Sequence, residues 1–362
     1  MLSPFFCNKT GLYDMKRRFF HFLLLSASFA FFSCNGPETE SKSVKVPEVY
    51  QTQRNEQDNI DSPTIWHGPD NQHWLIATAK EGNVLVVHDA RNGRFLQRFG
   101  ELGSGPGQFS RPNGVFVIDD LVLVVERDNH RIQVLHLPDF NHIGFIGDSL
   151  LIKPYGLYVY KIDHKYSMYV TDNYETEDEQ VPPNQDLGRR IHQYEFSIEN
   201  NQLYWTLARR FGETEGKGVL RIVESLWGDV DNNRLLIAEE DETQSSVKVY
   251  DLEGRFTNMV FGRSIFEHQV EGIALYAING DQGHWIIADQ SHTDNQFHIF
   301  ARTSFEYVTT FKGPKTTNTD GIWLTTQSFG DFEQGAFFAV HNDGNVSAFD
   351  WGEVMESTGI AK

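Results

Sequence analysis

Val247-Lys248-Val249-Tyr250 alternates apolar and polar residues, the period of a strand with one face toward a core. Other apolar runs are short and unbroken, such as LLIA at 235–238 and LVLVV at 121–125, and read as strands buried on both faces. No convincing 3.6-residue pattern runs through the chain after its first segment. The strand patterns recur in six copies that open near Asp61, Pro112, Pro154, Val223, Val270 and Thr319. Each has an opening turn, usually with glycine, an apolar strand, a turn and a second apolar strand. A loop and an alternating strand follow. Glu224 to Glu271 spans 47 positions and Glu271 to Asp320 spans 49. Repeats of that length with about four strands each predict an all-β fold, a six-bladed β-propeller with four-stranded blades. Residues 47–54 (VPEVYQTQ) are expected to supply the last outer strand and close the ring.

Ahead of the repeats, MKRRFFHFLLLSASFAFFSC runs from Met15 to Cys34. Its basic start, short apolar stretch and terminal cysteine predict a secretory leader, with Met15 the true start and Cys34 the lipidated first residue of the mature protein. The expected divisions are a leader over 1–34, a polar tether over 35–57, the propeller over 58–352 and a tail over 353–362. The protein is then exported, anchored to a membrane of a bacterial cell envelope through Cys34, and monomeric. Cys7 leaves with the leader, so no thiolate metal site or disulfide remains. The leader holds four bases and one acid, so its loss takes the net charge from −19 to −22. Nucleic acid is excluded as a partner, because phosphate backbones call for a basic footprint.

Propeller geometry then gives the acids a place. The start of each blade's first strand and the end of its second lie on one face near the axis. The first set is Asp61, Asn113, Tyr155, Glu224, Glu271 and Asp320; the second is Lys80, Arg127, Asn173, Glu240, Gln290 and Asn342. Blades one to three therefore offer Lys80, Arg127 and Tyr155, and blades four to six offer Glu224, Glu240, Glu271 and Asp320, with the amide of Gln290. Converging carboxylates disfavour one another's ionised state unless a cation joins them. An oxygen-only set suits a hard cation, calcium above all. Arginine and lysine suit phosphate. Singly, Lys80 reads as a solvated loop residue, Arg127 as part of a repeat loop, and Glu224 and Glu271 as turn caps. The histidines show no pair at metal-ligand spacing, and His67, His268 and His341 are expected on the surface.

LLIAEEDE, VEGIALY, IIADQ, TDGI, PYGLYVY, DSPTIW and the terminal GNVSAFDW resemble motifs of the β-propeller phytases, calcium-dependent phosphatases of inositol hexakisphosphate. The resemblance runs from about Asp58 to Trp351. It implies calcium ligation by Asp61, Glu224, Gln290 and Asp320, with Glu240 and Glu271 in the metal–water cluster. Lys80, Arg127 and Tyr155 would hold phosphate oxygens, and a water bridging calcium ions would attack phosphorus. The chain departs from the pattern at Ser62 and Gln269, where the family has acids, and at Asn173, where it has lysine. Arg189 and Arg190, in the insertion ETEDEQVPPNQDLGRR, are candidates to replace that lysine. A second resemblance points elsewhere. GELGSGPGQFSRPNGVFVIDDLVLVVERDNHRIQVL, residues 100–135, is similar to an NHL repeat, the unit of many non-catalytic binding propellers. The alternative is thus a lipid-anchored propeller that binds a ligand or protein without catalysis.

Overall fold

A computed structural model describes residues 43–147 and 149–360. The leader, Met15, Cys34 and the first part of the tether lie outside the described residues. Six four-stranded antiparallel blades follow one another along the chain as a six-bladed propeller, five built from four consecutive strands and the sixth from three consecutive strands and one from the N-terminal end. Second and third strands are buried on both faces between neighbouring blades, as in Leu121–Glu126 and Val84–Asp89. That is why they read as continuous apolar runs. Outer strands such as Phe95–Phe99 meet water along most of their length.

The ring closes through the chain's N-terminal end. Tyr50–Gln51 pairs antiparallel with Asn345–Asp350 as the outer strand of blade six, within the stretch expected to do so. Val44–Lys45 adds an unexpected fifth strand, parallel to Tyr307–Lys312 of blade five. Between them Glu48 accepts the Lys315 and Thr316 amides at 2.9 and 2.8 Å. Eight residues at the other end correct the expectation of a tail: Trp351–Thr358 is an α-helix. Asp350 caps it by accepting the Glu353 amide at 2.8 Å, and Gly359 ends it in the left-handed conformation. Trp351, Val354 and Met355 pack into the core shared with Phe337 and Phe349. Among the described residues, no helix is long and apolar enough to cross a membrane.

The first strands carry the features that shape the axis. Register shifts fall at Ile60/Pro63, Pro112/Val115, Pro154/Leu157 and Val270/Ile273, so the axial residues Asp61, Asn113, Tyr155 and Glu271 sit in bulges. A bulge re-aims the side chain at that point. Two glycines beside these residues let neighbouring blades touch through backbone. A Cβ on Gly156 would lie 2.1 Å from the Glu224 carbonyl, and one on Gly321 would lie 2.6 Å from that of Asp61. Gly321 also donates its N–H to the Asp61 carbonyl at 2.9 Å. Three positions further along their strands, Phe116, Tyr158, Trp227 and Trp323 meet in the channel, with Phe116–Trp323 centroids 4.9 Å apart and Trp227–Trp323 5.2 Å apart. They form an aromatic floor.

Candidate functional site

Above that floor the axial residues make a cup of about 60 Å³, walled by Asp61, Tyr155, Glu224, Glu271 and Asp320. Carboxylate oxygens of Glu224, Glu240 and Glu271 all lie within 4.8 Å of one another. Burial and the Asp61 carboxylate push Glu224 up to about 7. Glu240 and Glu271 are held well above the carboxylate range by burial and then by neighbouring acids. Asp320 is raised too, by burial, although Lys80 opposes the shift. Either protons retained on the carboxyls or a hard cation held by oxygen ligands relieves such crowding. The donor set fits a hard cation: it is all oxygen, and Asp320 Oδ2 is buried without a hydrogen-bond partner.

The acidic run at 239–242 divides by direction. Glu239 is fully buried; it accepts the Arg221 and Ile222 amides at 2.9 and 3.0 Å and the Lys248 ammonium at 2.7 Å. Glu240 turns to the axis, where it accepts the Glu224 amide at 3.0 Å and the Gln269 side chain at 3.4 Å. Asp241 pairs with Arg221, and Glu242 is exposed. The clamp made by Glu239 recurs. Asp172 accepts the Lys153 amide at 2.7 Å, and Asp289 accepts the Glu267 and His268 amides at 2.9 Å each. These acids bind the chain before the first strands of blades three, four and five, and reading the acidic run as one group of charges missed this role of Glu239.

The bases differ most from expectation. Lys80 does not form a separate cationic half: its Nζ lies among the acids, 2.8 Å from Asp61 Oδ1, 3.9 Å from Asp320 Oδ2 and 3.3 Å from the Tyr155 hydroxyl. Burial works against this ammonium, and Asp61 and Asp320 outweigh it, raising its pKa. The Tyr155 hydroxyl donates to Asp61 Oδ1 at 3.1 Å and stays protonated, because burial and four nearby acids raise it. Arg127 donates instead to Asp128 of its own loop at 2.7 Å. Arg190 is a correction. It is fully buried, donates to the carbonyls of Asp172, Tyr174, Leu220 and Arg221, and has no face for phosphate. Arg189 is exposed and stacks on Tyr174 at 4.8 Å. Gln290 donates its amide to Asp320. Asn173 donates to Glu224 at 3.4 Å.

Lys153 was missed. It pairs with Glu175 at 2.6 Å and acts on Glu224 electrostatically. Its place two residues before axial Tyr155 was the available signal. His67 and His341 are partly buried rather than on the surface, and His67 Nδ1 lies 2.8 Å from His73 Nδ1. No protein-family model matches the chain, and no curated protein is similar to it in sequence.

Proposed function

We propose that this propeller is a calcium-dependent phosphomonoester hydrolase related to the β-propeller phytases. Its substrate would be inositol hexakisphosphate or another multiply phosphorylated small molecule. The observation that carries the reading is the approach of Glu224, Glu240 and Glu271 to within 4.8 Å beside the cup that Glu224 and Glu271 help to wall. Glu224, Glu240, Glu271, Asp61 and Asp320 would hold calcium, with Gln290 fixing Asp320. Bound calcium supplies charge neutralisation at phosphoryl oxygens and acidifies water. Lys80 and Tyr155 offer an ammonium and a protonated phenol to an oxyanion at the mouth. Lys153 adds a second base if it leaves Glu175. Arg127 takes part if it leaves Asp128. The aromatic floor confines access to one face. Export and anchoring through Cys34 remain part of this proposal, as does action as a monomer.

One observation favours the non-catalytic binding propeller. Among the described residues, Lys80 is the one base in contact with the axial acids, Arg127 and Arg190 being engaged elsewhere. Phosphate release from inositol hexakisphosphate, measured over a calcium series and after chelation, separates the readings. Release that needs calcium supports the hydrolase. No release from this or simpler phosphomonoesters at any calcium concentration leaves the binding propeller.

A further inference from the structure

Lys80 is the feature of the cup that a simple cation site does not explain. Its ammonium touches Asp61 at 2.8 Å and the Tyr155 hydroxyl at 3.3 Å, and stands 3.9 Å from Asp320 Oδ2. That Asp320 oxygen is buried and makes no hydrogen bond. Asn113, the axial residue of blade two, is 0% exposed, and neither its Oδ1 nor its Nδ2 has a partner. It stands in the ring between Asp61 and Tyr155, whose side chains meet at 3.1 Å. A buried polar group without a partner is destabilising, so the unpaired Asp320 oxygen beside the Lys80 ammonium marks an arrangement that something else completes. We infer that Lys80 occupies the place of a second cation between Asp61 and Asp320, and that an oxyanion drawing its ammonium away opens that place to a divalent cation. The inference rests on the cation-site reading above and adds its regulation.

Charge and reach both support the exchange. With the ammonium in place, Asp61 and Asp320 are half-compensated, and a divalent cation beside it would meet a like charge at close range. An ammonium on a flexible four-carbon stem can swing toward a phosphoryl oxygen while its backbone stays fixed. The two carboxylates are then uncompensated, and Asp320 Oδ2 becomes available as an oxygen ligand. Cation and oxyanion therefore favour each other's binding. By linkage the factor is the same in both directions.

Calorimetric titrations of the mature protein test this, with calcium as one probe and methylphosphonate, which has no ester to hydrolyse, as the other. Wild type should bind calcium about tenfold more tightly with methylphosphonate present, and methylphosphonate about tenfold more tightly with calcium. Lys80→Met should bind calcium without the anion as tightly as wild type binds it with the anion, and methylphosphonate should no longer change that affinity. Lys80→Arg keeps the charge and should keep the weaker anion-free affinity. If Lys80→Met does not fold, the wild-type titrations decide alone. Equal calcium affinity with and without methylphosphonate overturns the inference, as does a folded Lys80→Met that binds calcium no better than wild type. Loss of coupling with calcium-dependent phosphate release intact leaves the hydrolase standing. Coupling without release from any ester leaves the inference standing and removes the hydrolase. Absence of calcium binding removes both.

Discussion

Glu239 and Glu240 are neighbours in the chain and face opposite ways, so the same substitution at each should do opposite things. Glu239→Gln breaks a buried ion pair with Lys248 and weakens the two amide bonds that anchor the chain before blade four. Removing one partner of a buried pair costs about 3–5 kcal/mol, so the melting temperature should drop by several degrees. Its response to calcium should survive. Glu240→Gln removes one like charge from the triad. The metal-free melt should hold or rise, and calcium-induced stabilisation, about 2.7 kcal/mol at one hundred times the dissociation constant, should shrink. Thermal melts of both variants with and without calcium check the contrast. Equal loss of calcium response in both would show that the run acts as one diffuse charge. Arg190→Met gives a third outcome at this scale. It strands three buried carbonyl oxygens and a half-buried fourth, and should cost about 3 kcal/mol or more without touching calcium affinity.

At the scale of strands and blades, the axial face is only as ordered as the seams beneath it. Gly156→Ala places a Cβ against the Glu224 carbonyl at 2.1 Å and must push blades three and four apart. Overpacking of that kind costs about 1–3 kcal/mol. Because the displaced residue is an axial acid, calcium affinity measured by titration should fall along with the melt. A lower melt with unchanged affinity would show that the seam does not position Glu224. Six blades, their spacing and the ring-closing stretch were all legible, because each rests on periodicity. The helix at Trp351–Thr358 was written more locally, as Asp350 three residues before Glu353 and Gly359 beyond the end, a capping signature in a segment too short for its period to stand out. That Glu224, Glu240 and Glu271 would converge was legible from strand geometry alone. The destinations of the bases were not, since a long side chain near the axis can turn to its own loop, as Arg127 does, to carbonyls, as Arg190 does, or to the acids, as Lys80 does. Blade topology does not decide among these. Local acceptors do, and they come from other blades or from loops whose course the repeat leaves open.

Over the whole molecule, two sets of buried groups pull stability in opposite directions with pH. Glu224, raised to about 7, keeps a proton in the folded metal-free state that an unfolded chain releases near 4.5. A raised carboxyl pKa contributes stability that is full below 4.5 and is lost as pH climbs through about 7. Glu240, Glu271 and Asp320 act in the same sense. His67 and His88, each lowered to about 4 by burial, contribute stability that is full above 6.5 and is lost as pH falls toward 4. The metal-free protein should therefore be most stable in mildly acidic solution and weaken toward pH 8, where the axial acids repel one another unrelieved. Calcium replaces the protons on those acids. Below about 7 it must displace them, and above it finds carboxylates already ionised. The rise in melting temperature on adding calcium should be small at about pH 5.5 and largest near pH 8. Titration near pH 6 should release protons, seen as a binding heat that depends on the ionisation enthalpy of the buffer. Salt should change this little, because the pairs concerned are buried and weakly screened. A calcium shift that is the same at both pH values, with no buffer dependence, would mean that the axial carboxyls are not where calcium binds.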